Sequence, residues 1–304
     1  MNLMIVTNSR YLAATRVMLY SFFQNHKGAV TVYLPYEDLT EAELKQLGEF
    51  CSSWEGKKLV PLYVGTDFKE EVRSRNGIMV ETYYRILGWK LLPPEVHRIL
   101  YLDVDMVING SLDELYQTDF KNAVFAVCED IFGIINGFHQ GNKARLGLGP
   151  DRSYFNAGML LVNVDELRRT SEVEKILAQV YKDYERYEYN DQDVLNEMYQ
   201  DRLIYVGWDQ YNCPPAWYYL DVEKMKQNSL HFADYNELRA MQNNPQEFEK
   251  NYRNITEQIA GNAKIIHYLA DTKPWNPHRK QAAVYQLFDP FYEKYKEEME
   301  REGI

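Results

Sequence analysis

The chain has 304 residues, 45% of them hydrophobic and 26% charged, enough to bury a full core as one large domain or as a domain with a smaller lobe. Lys and Arg number 34 against 45 Asp and Glu, giving a formal charge of −11 and an isoelectric point near 5.2. That balance argues against nucleic acid or an anionic membrane as partner, because both require a basic footprint. Three cysteines, Cys51, Cys128 and Cys213, share no metal-ligand spacing and fit a reducing compartment without a disulfide framework.

The first hundred residues alternate strand and helix signals. Leu3–Thr7 is a short apolar run that ends at Asn8-Ser9, and Tyr11–His26 carries helical spacing through Leu12, Val17, Leu19 and Phe23. Ala29–Leu34 is β-branched and is expected to stop at Pro35. Thr40 with Glu43 has the form of a capping box, opening a helix to about Cys51. Leu59–Val64 predicts a third strand, Glu81–Leu92 a helix stopped by Pro93-Pro94, and Arg98–Leu102 a fourth strand. Such alternation predicts a largely parallel sheet covered on both faces.

Further along, Ala123–Cys128 and Gly158–Val164 read as strands, Glu166–Arg186 as one long helix and Asp191–Gln200 as a short one. Leu203–Gly207 and Lys264–Tyr268 read as strands, and a charged amphipathic helix runs from Gln281 to the C-terminus. This last helix suits either a solvated face or a dimer contact. The longest uncharged stretch, residues 131–142, contains Asn136, His139 and Gln140 and is too short for a bilayer span. The apolar N-terminus lacks the preceding basic segment of a signal peptide, so a cytoplasmic location is expected. Tyrosines outnumber phenylalanines 25 to 13; they suit sugar binding or half-exposed packing.

In open α/β sheets ligands sit beyond the carboxyl ends of the strands. Three polar segments fall there: Asn8-Ser9-Arg10, Asp103–Asp105, and the stretch from His267 to Trp275. Residues i and i+2 of a strand share a face, so Asp103 and Asp105 would repel unless a cation lay between them. A divalent ion bridging to phosphate oxygens meets that need; a solvated turn is the alternative. A second Asp-x-Asp, Asp191-Gln192-Asp193, has no apolar strand before it. His267 ends the strand signal KIIHY, and Lys273-Pro274-Trp275 follows, placing a point charge for an anion near an imidazole. Two acids upstream with a histidine and a lysine downstream would suit a metal-bound diphosphate.

The segments RILYLDVDMVINGSLDELY, YFNAGMLLVNVDELR, NDQDVLNEMY and HYLADTKPW, in that order, resemble the family-8 glycosyltransferases, which include bacterial lipopolysaccharide glucosyl- and galactosyltransferases and the glycogenins. The resemblance runs from the first strand to about Trp275. It implies an α/β, nucleotide-sugar-binding A-type fold with a mostly parallel central sheet flanked by helices. The implied catalytic domain spans 1–275, with a nucleotide-binding half over about 1–120 and a sugar and acceptor half over about 121–275, followed by a helical extension, 276–304. Family members move a hexose from a UDP-sugar to an acceptor with retention of anomeric configuration, using Mn²⁺.

Carried over position by position, the resemblance implies Asp103, Asp105 and His267 as ligands of Mn²⁺, with Mg²⁺ as the alternative ion. An imidazole beside two carboxylates favours manganese. Lys273 would hold the leaving diphosphate. Thr7, Asn8, Tyr11, Val104 and Ala270 would line the nucleotide site, and Arg85 would reach the donor sugar or diphosphate unless it is a surface cation. Asp130 would accept from sugar hydroxyls and Asn156 would line the same pocket, its other reading being turn chemistry. Asp191 and Gln192 would lie around the anomeric carbon; Asp191 otherwise reads as a helix N-cap.

Three positions depart from the family pattern. Asn8 stands where an Asp often accepts from uracil N3–H, Arg10 where many relatives have Asn, and Ala270 where Gly usually gives its N–H to phosphate. These departures keep a non-catalytic UDP-sugar-binding protein as a rival reading. A haloacid-dehalogenase-like phosphatase with Asp103 as nucleophile is a further rival, disfavoured because the DVD motif comes some hundred residues into a chain without a Gly-Asp dipeptide. The expected acceptor is a glycan or glycolipid, as in cell-surface polysaccharide synthesis. The aromatic run Ala216–Tyr219 reads as a packed loop or a sugar-stacking platform. The C-terminal KYKEEMEREGI is too acidic for membrane docking, so a soluble enzyme is expected.

Overall fold

A computed structural model describes residues 1–66, 80–135, 137–149, 151–215, 260–279 and 288–304. Its main sheet has seven strands in the order β3-β2-β1-β4-β7-β6-β8, with β1 Asn2–Met4, β2 Val30–Tyr36, β3 Lys57–Tyr63, β4 Arg98–Leu102, β6 Phe125–Glu129, β7 Phe155–Asn163 and β8 Leu203–Tyr205. β7 alone runs antiparallel to its neighbours; every other pairing in this sheet is parallel. A second sheet pairs β5 (Met106–Ile108) with β9 (Ile265–His267).

Both faces of the central strands are buried, while the edge strands β3 and β8 are partly exposed. Leu3, Val32, Leu34, Leu100 and Leu102 pack on one side, with the helices Leu12–Asn25 and Glu41–Ser52. Met4, Tyr33, Ile99 and Tyr101 pack on the other, with the helices Tyr84–Leu91, Glu172–Asp183 and Asn190–Tyr199. The alternation within each strand therefore serves two cores, as the mostly parallel α/β expectation requires. The helix Asp289–Arg301 buries Tyr292, Tyr295 and Met299 in the first core. The residues where that helix was expected to begin lie outside those described.

Local chemistry explains most boundaries. Both halves of the Thr40–Glu43 capping box are formed. β2 continues through Pro35, contrary to expectation. Pairing with β1 ends near Tyr33, whose carbonyl takes the Ile5 N–H, so Pro35 turns its missing donor toward a side where β1 has ended. The long helix expected over Glu166–Arg186 is three pieces, Val164–Arg169, Glu172–Asp183 and a 3-10 turn Tyr184–Arg186. The first break falls at Ser171, whose φ is +53°, a conformation that cannot continue a right-handed helix. Among the described residues no helix is long and apolar enough to cross a membrane.

Candidate active site

The carboxyl ends of β1 and β4 open onto a cavity of about 590 Å³. Around it stand Thr7, Asn8, Tyr11, Arg85, Asp103, Val104, Asp105, Asp130, Asn156, Asp191, Gln192, Ala270 and Lys273. His267 lies behind this wall, fully buried. Arg10 is exposed and does not line the cavity.

β4 ends at Leu102, so Asp103–Asp105 form a turn and not the extended i, i+2 pair expected of a strand. The turn still converges them. One ligand atom each from Asp103, Asp105 and His267 lies within 4.8 Å of the others. His267 Nε2 is 3.1 Å from Asp105 Oδ1 and 3.8 Å from Asp103 Oδ2, near the edge of roughly 3 Å expected between neighbouring oxygen or nitrogen ligands of an octahedral ion. Two carboxylates and an imidazole are a donor set that fits manganese. Lys273 Nζ pairs with Asp105 Oδ2 and donates to the Tyr268 carbonyl at 3.0 Å. Burial raises the Asp105 carboxyl, but Lys273 and His267 outweigh it and hold the group well below the ordinary range. Asp105 also raises Lys273 against the effect of burial, which keeps the ammonium charged.

Gly158 explains how this cluster closes. β7 shifts register against β6 between Val127 and Cys128, and the displaced stretch carries Gly158 under the acids. A Cβ there would stand 2.4 Å from His267 Cε1 and 2.9 Å from Asp103 Oδ2. Only glycine leaves room for the imidazole and the carboxylate together.

Arg85 is buried and is not a surface cation. Its guanidinium stacks 4.0 Å from the Tyr101 ring, Nη2 donates to Asp103 Oδ1 at 3.3 Å, and Nη1 donates to the Ala157 carbonyl. Nε donates to the Thr82 carbonyl and lies 2.9 Å from Asp191 Oδ2. One cation thus spans the two acidic sides of the cavity. Asp191 is not an N-cap: Tyr189 holds that position without a side-chain capping bond, and Asp191 sits in the first turn of the helix Asn190–Tyr199 facing Arg85. Burial pushes the Asp191 carboxyl up to about 6, with Arg85 opposing. Asp130 is also pushed up to about 6 by burial, opposed by the Gly133 N–H at 3.1 Å.

Gln192 accepts from Ala157 N–H at 2.9 Å and turns its amide nitrogen toward Asp130 Oδ2 at 3.4 Å. Asp193 faces away from the cavity. It takes the Tyr154 hydroxyl at 2.6 Å and Arg145 at 2.8 Å. Asn156 lies in β7 and not in a turn. Asn8 caps the short 3-10 turn Ser9–Tyr11 through the Arg10 N–H, and Tyr11 brings its ring 5.8 Å from Lys273 Nζ. Ala270 adopts φ +45° despite its side chain.

The sequence profile of glycosyl transferase family 8 matches residues 2–278. The chain belongs to this family. An Escherichia coli lipopolysaccharide 1,2-glucosyltransferase is 24% identical over 283 residues, covering 91% of this chain and 74% of that protein. A Salmonella typhimurium lipopolysaccharide 1,3-galactosyltransferase is 24% identical over 245 residues, 79% of this chain and 63% of that one. The match to the K12 lipopolysaccharide 1,2-glucosyltransferase of E. coli takes in only 48% of that protein, so these relatives extend well beyond the shared part. The galactosyltransferase LgtC, solved with donor and acceptor sugar analogues, superposes with a TM-score of 0.70 at 20% identity over 97% of this chain and 96% of its own. GlyE of Streptococcus pneumoniae superposes at 0.63 and 17% identity, covering all of this chain and 64% of that one. These likenesses establish the A-type glycosyltransferase fold.

Several residues around the cavity escaped the sequence reading. Tyr101, Thr82, Tyr189 and Phe132 line it, and Asn212 holds His267. Tyr101 was within reach, because it lies two residues before Asp103 and shares its face. Asn212 gave no signal, being 55 residues from its partner in sequence. The aromatic run Ala216–Tyr219 lies outside the described residues.

Proposed function

We propose that this chain transfers a hexose, glucose or galactose, from a UDP-sugar to a hydroxyl of a glycan or glycolipid, with retention of configuration, in the cytoplasm. The observation that carries the reading is the cluster of Asp103, Asp105 and His267 beside Lys273, on a cavity that Asp130, Asp191 and Gln192 also line. Asp103, Asp105 and His267 would hold Mn²⁺, which when bound neutralises charge on a diphosphate leaving group. Lys273 supplies a fixed cation on the same side, aimed where negative charge grows as the sugar departs.

In the same cavity, Asp130 accepts hydrogen bonds from sugar hydroxyls. Arg85 keeps Asp191 and Asp103 in place by touching both. Gln192 is no nucleophile: its carbonyl oxygen is already held by a backbone N–H, and an amide is a poor nucleophile in any case. This favours attack on the same face. The bond from the anomeric carbon to phosphate oxygen breaks, the acceptor oxygen bonds to that carbon, and the acceptor proton passes to the departing phosphate oxygen.

The test is release of UDP from UDP-glucose and UDP-galactose with Mn²⁺ and with EDTA, followed by NMR of the product anomer. Manganese-dependent release with a retained anomer supports the proposal. An inverted anomer, or p-nitrophenyl phosphate hydrolysis without sugar transfer, would overturn it.

A further inference from the structure

His267 can serve a cation through Nε2 only if the proton of its neutral ring sits on Nδ1. Nε2 faces Asp105 Oδ1 at 3.1 Å, where a cation would come between them, and a chain of groups on the other side of the ring holds the proton on Nδ1. A backbone N–H can only donate, and that of Gly158 points at Asn156 Oδ1 at 3.0 Å. The oxygen end of Asn156 is thereby fixed, so Asn212 must turn its nitrogen to it, and Asn212 Nδ2 donates there at 3.0 Å. Asn212 Oδ1 is then left facing His267 Nδ1 at 2.8 Å. Donors therefore run in one direction from the imidazole through Asn212 to Asn156, each polarising the next.

Asn212 is buried at the end of the short helix Trp208–Tyr211. The next residue rivets it to β9: Cys213 N–H donates to the Ile265 carbonyl at 3.0 Å, and the His267 N–H donates to the Cys213 carbonyl at 2.9 Å. The amide has little freedom to rotate away from the ring.

We propose that Asn212 is a positioning residue for the metal centre, holding the proton on His267 Nδ1 and leaving Nε2 for the cation. The inference rests on the reading of Asp103, Asp105 and His267 as metal ligands. It assigns a role to a residue that touches neither cation nor sugar. Outer-shell partners of this kind are worth about 10–100-fold in metal affinity.

The experiment is a Mn²⁺ titration of the metal-stripped full chain, followed by electron paramagnetic resonance of the free ion, for wild type, N212L and N212D, with folding checked by Tm. Leucine removes the acceptor, while aspartate keeps an oxygen facing Nδ1, exchanges the donor to Asn156 for a second oxygen and adds a negative charge. We expect N212L to bind about 10–100-fold more weakly, and N212D to stay within a few-fold of wild type. Folded N212L binding as wild type does, or equal losses in both variants, would overturn the role of Asn212 alone. If N212L fails to fold, N212D still decides, because a loss of about tenfold or more there contradicts an acceptor role. Wild type that binds no Mn²⁺ would overturn the metal reading itself.

Discussion

The two walls of the cavity use the same residue type in opposite ways. On the turn side Asp105 touches the Lys273 ammonium and His267, and its carboxyl is held down. Among the described residues Asp130 has amide donors and no ion pair, while Asp191 shares Arg85 with Asp103; burial pushes both up to about 6. Compensated charge suits acids that must stay ionised beside a cation and a diphosphate. Desolvated acids suit a pocket that reads neutral hydroxyls, where a carboxylate with few partners is a strong acceptor.

The largest effect should come from breaking the compensated wall. Asp105→Asn removes a proposed ligand and the partner of Lys273, and should lower kcat for donor turnover by about 10³-fold, equal to several kcal/mol of charge stabilisation; loss below about tenfold in steady-state assays would contradict the assignment. Next comes Gly158→Ala. The added methyl would meet His267 and Asp103 at 2.4 and 2.9 Å, so Mn²⁺ affinity should fall by about tenfold or more and stability by about 1–3 kcal/mol. Equilibrium metal titration and denaturant unfolding would read the two losses separately.

The desolvated wall should show itself in pH dependence. The folded pKa of Asp130 lies above its ordinary value of 3.8, at about 6. The folded chain therefore keeps a proton that the unfolded chain has already lost. The resulting penalty is absent below about pH 4, grows as pH rises, and is complete above about pH 6. An asparagine side chain cannot titrate, so the Tm of wild type minus that of Asp130→Asn should fall as pH rises from about 4 to about 7. The full penalty is about 3 kcal/mol, or roughly 5 °C. A flat difference would place Asp130 in a solvated setting.

The smallest effect belongs to the rim. Ala270 holds φ +45°, which costs an L-residue about 1–2 kcal/mol, whereas glycine relieves the strain but loses more entropy on folding. Ala270→Gly should raise stability by about 0.5–1 kcal/mol, one or two degrees in a thermal melt. A drop in Tm would mean that the strain is compensated within the turn.

The same contrast marks where sequence reading reached and where it stopped. The acids at the end of β4, the histidine ending β9 and the lysine beyond it lie at strand ends, and apolar runs announce strand ends. The second sheet went unseen, because β5 is three residues long and its partner is more than 150 residues away. The break at Ser171 went unseen because Arg168 to Glu172 carries no Gly or Pro to signal it. The register shift of β7 and the approach of Asn212 to His267 are tertiary facts, arising where separate elements meet, and local pattern does not encode them. Pro35 misled for a related reason: proline ends a strand only where its missing donor has a partner strand to disappoint.

Under the proposed function, Asp103, Asp105, His267 and Lys273 make a metal-dependent site for a uridine diphosphate. Its most direct test is the Tm of the full chain with UDP or GDP, each with Mn²⁺ and with EDTA. At a hundred times its dissociation constant a ligand adds about 2.7 kcal/mol, roughly 5 °C for a chain of this size. That shift is expected with UDP and manganese together, and none with UDP in EDTA. Absence of any shift with UDP and manganese, or the same shift in EDTA, would contradict it.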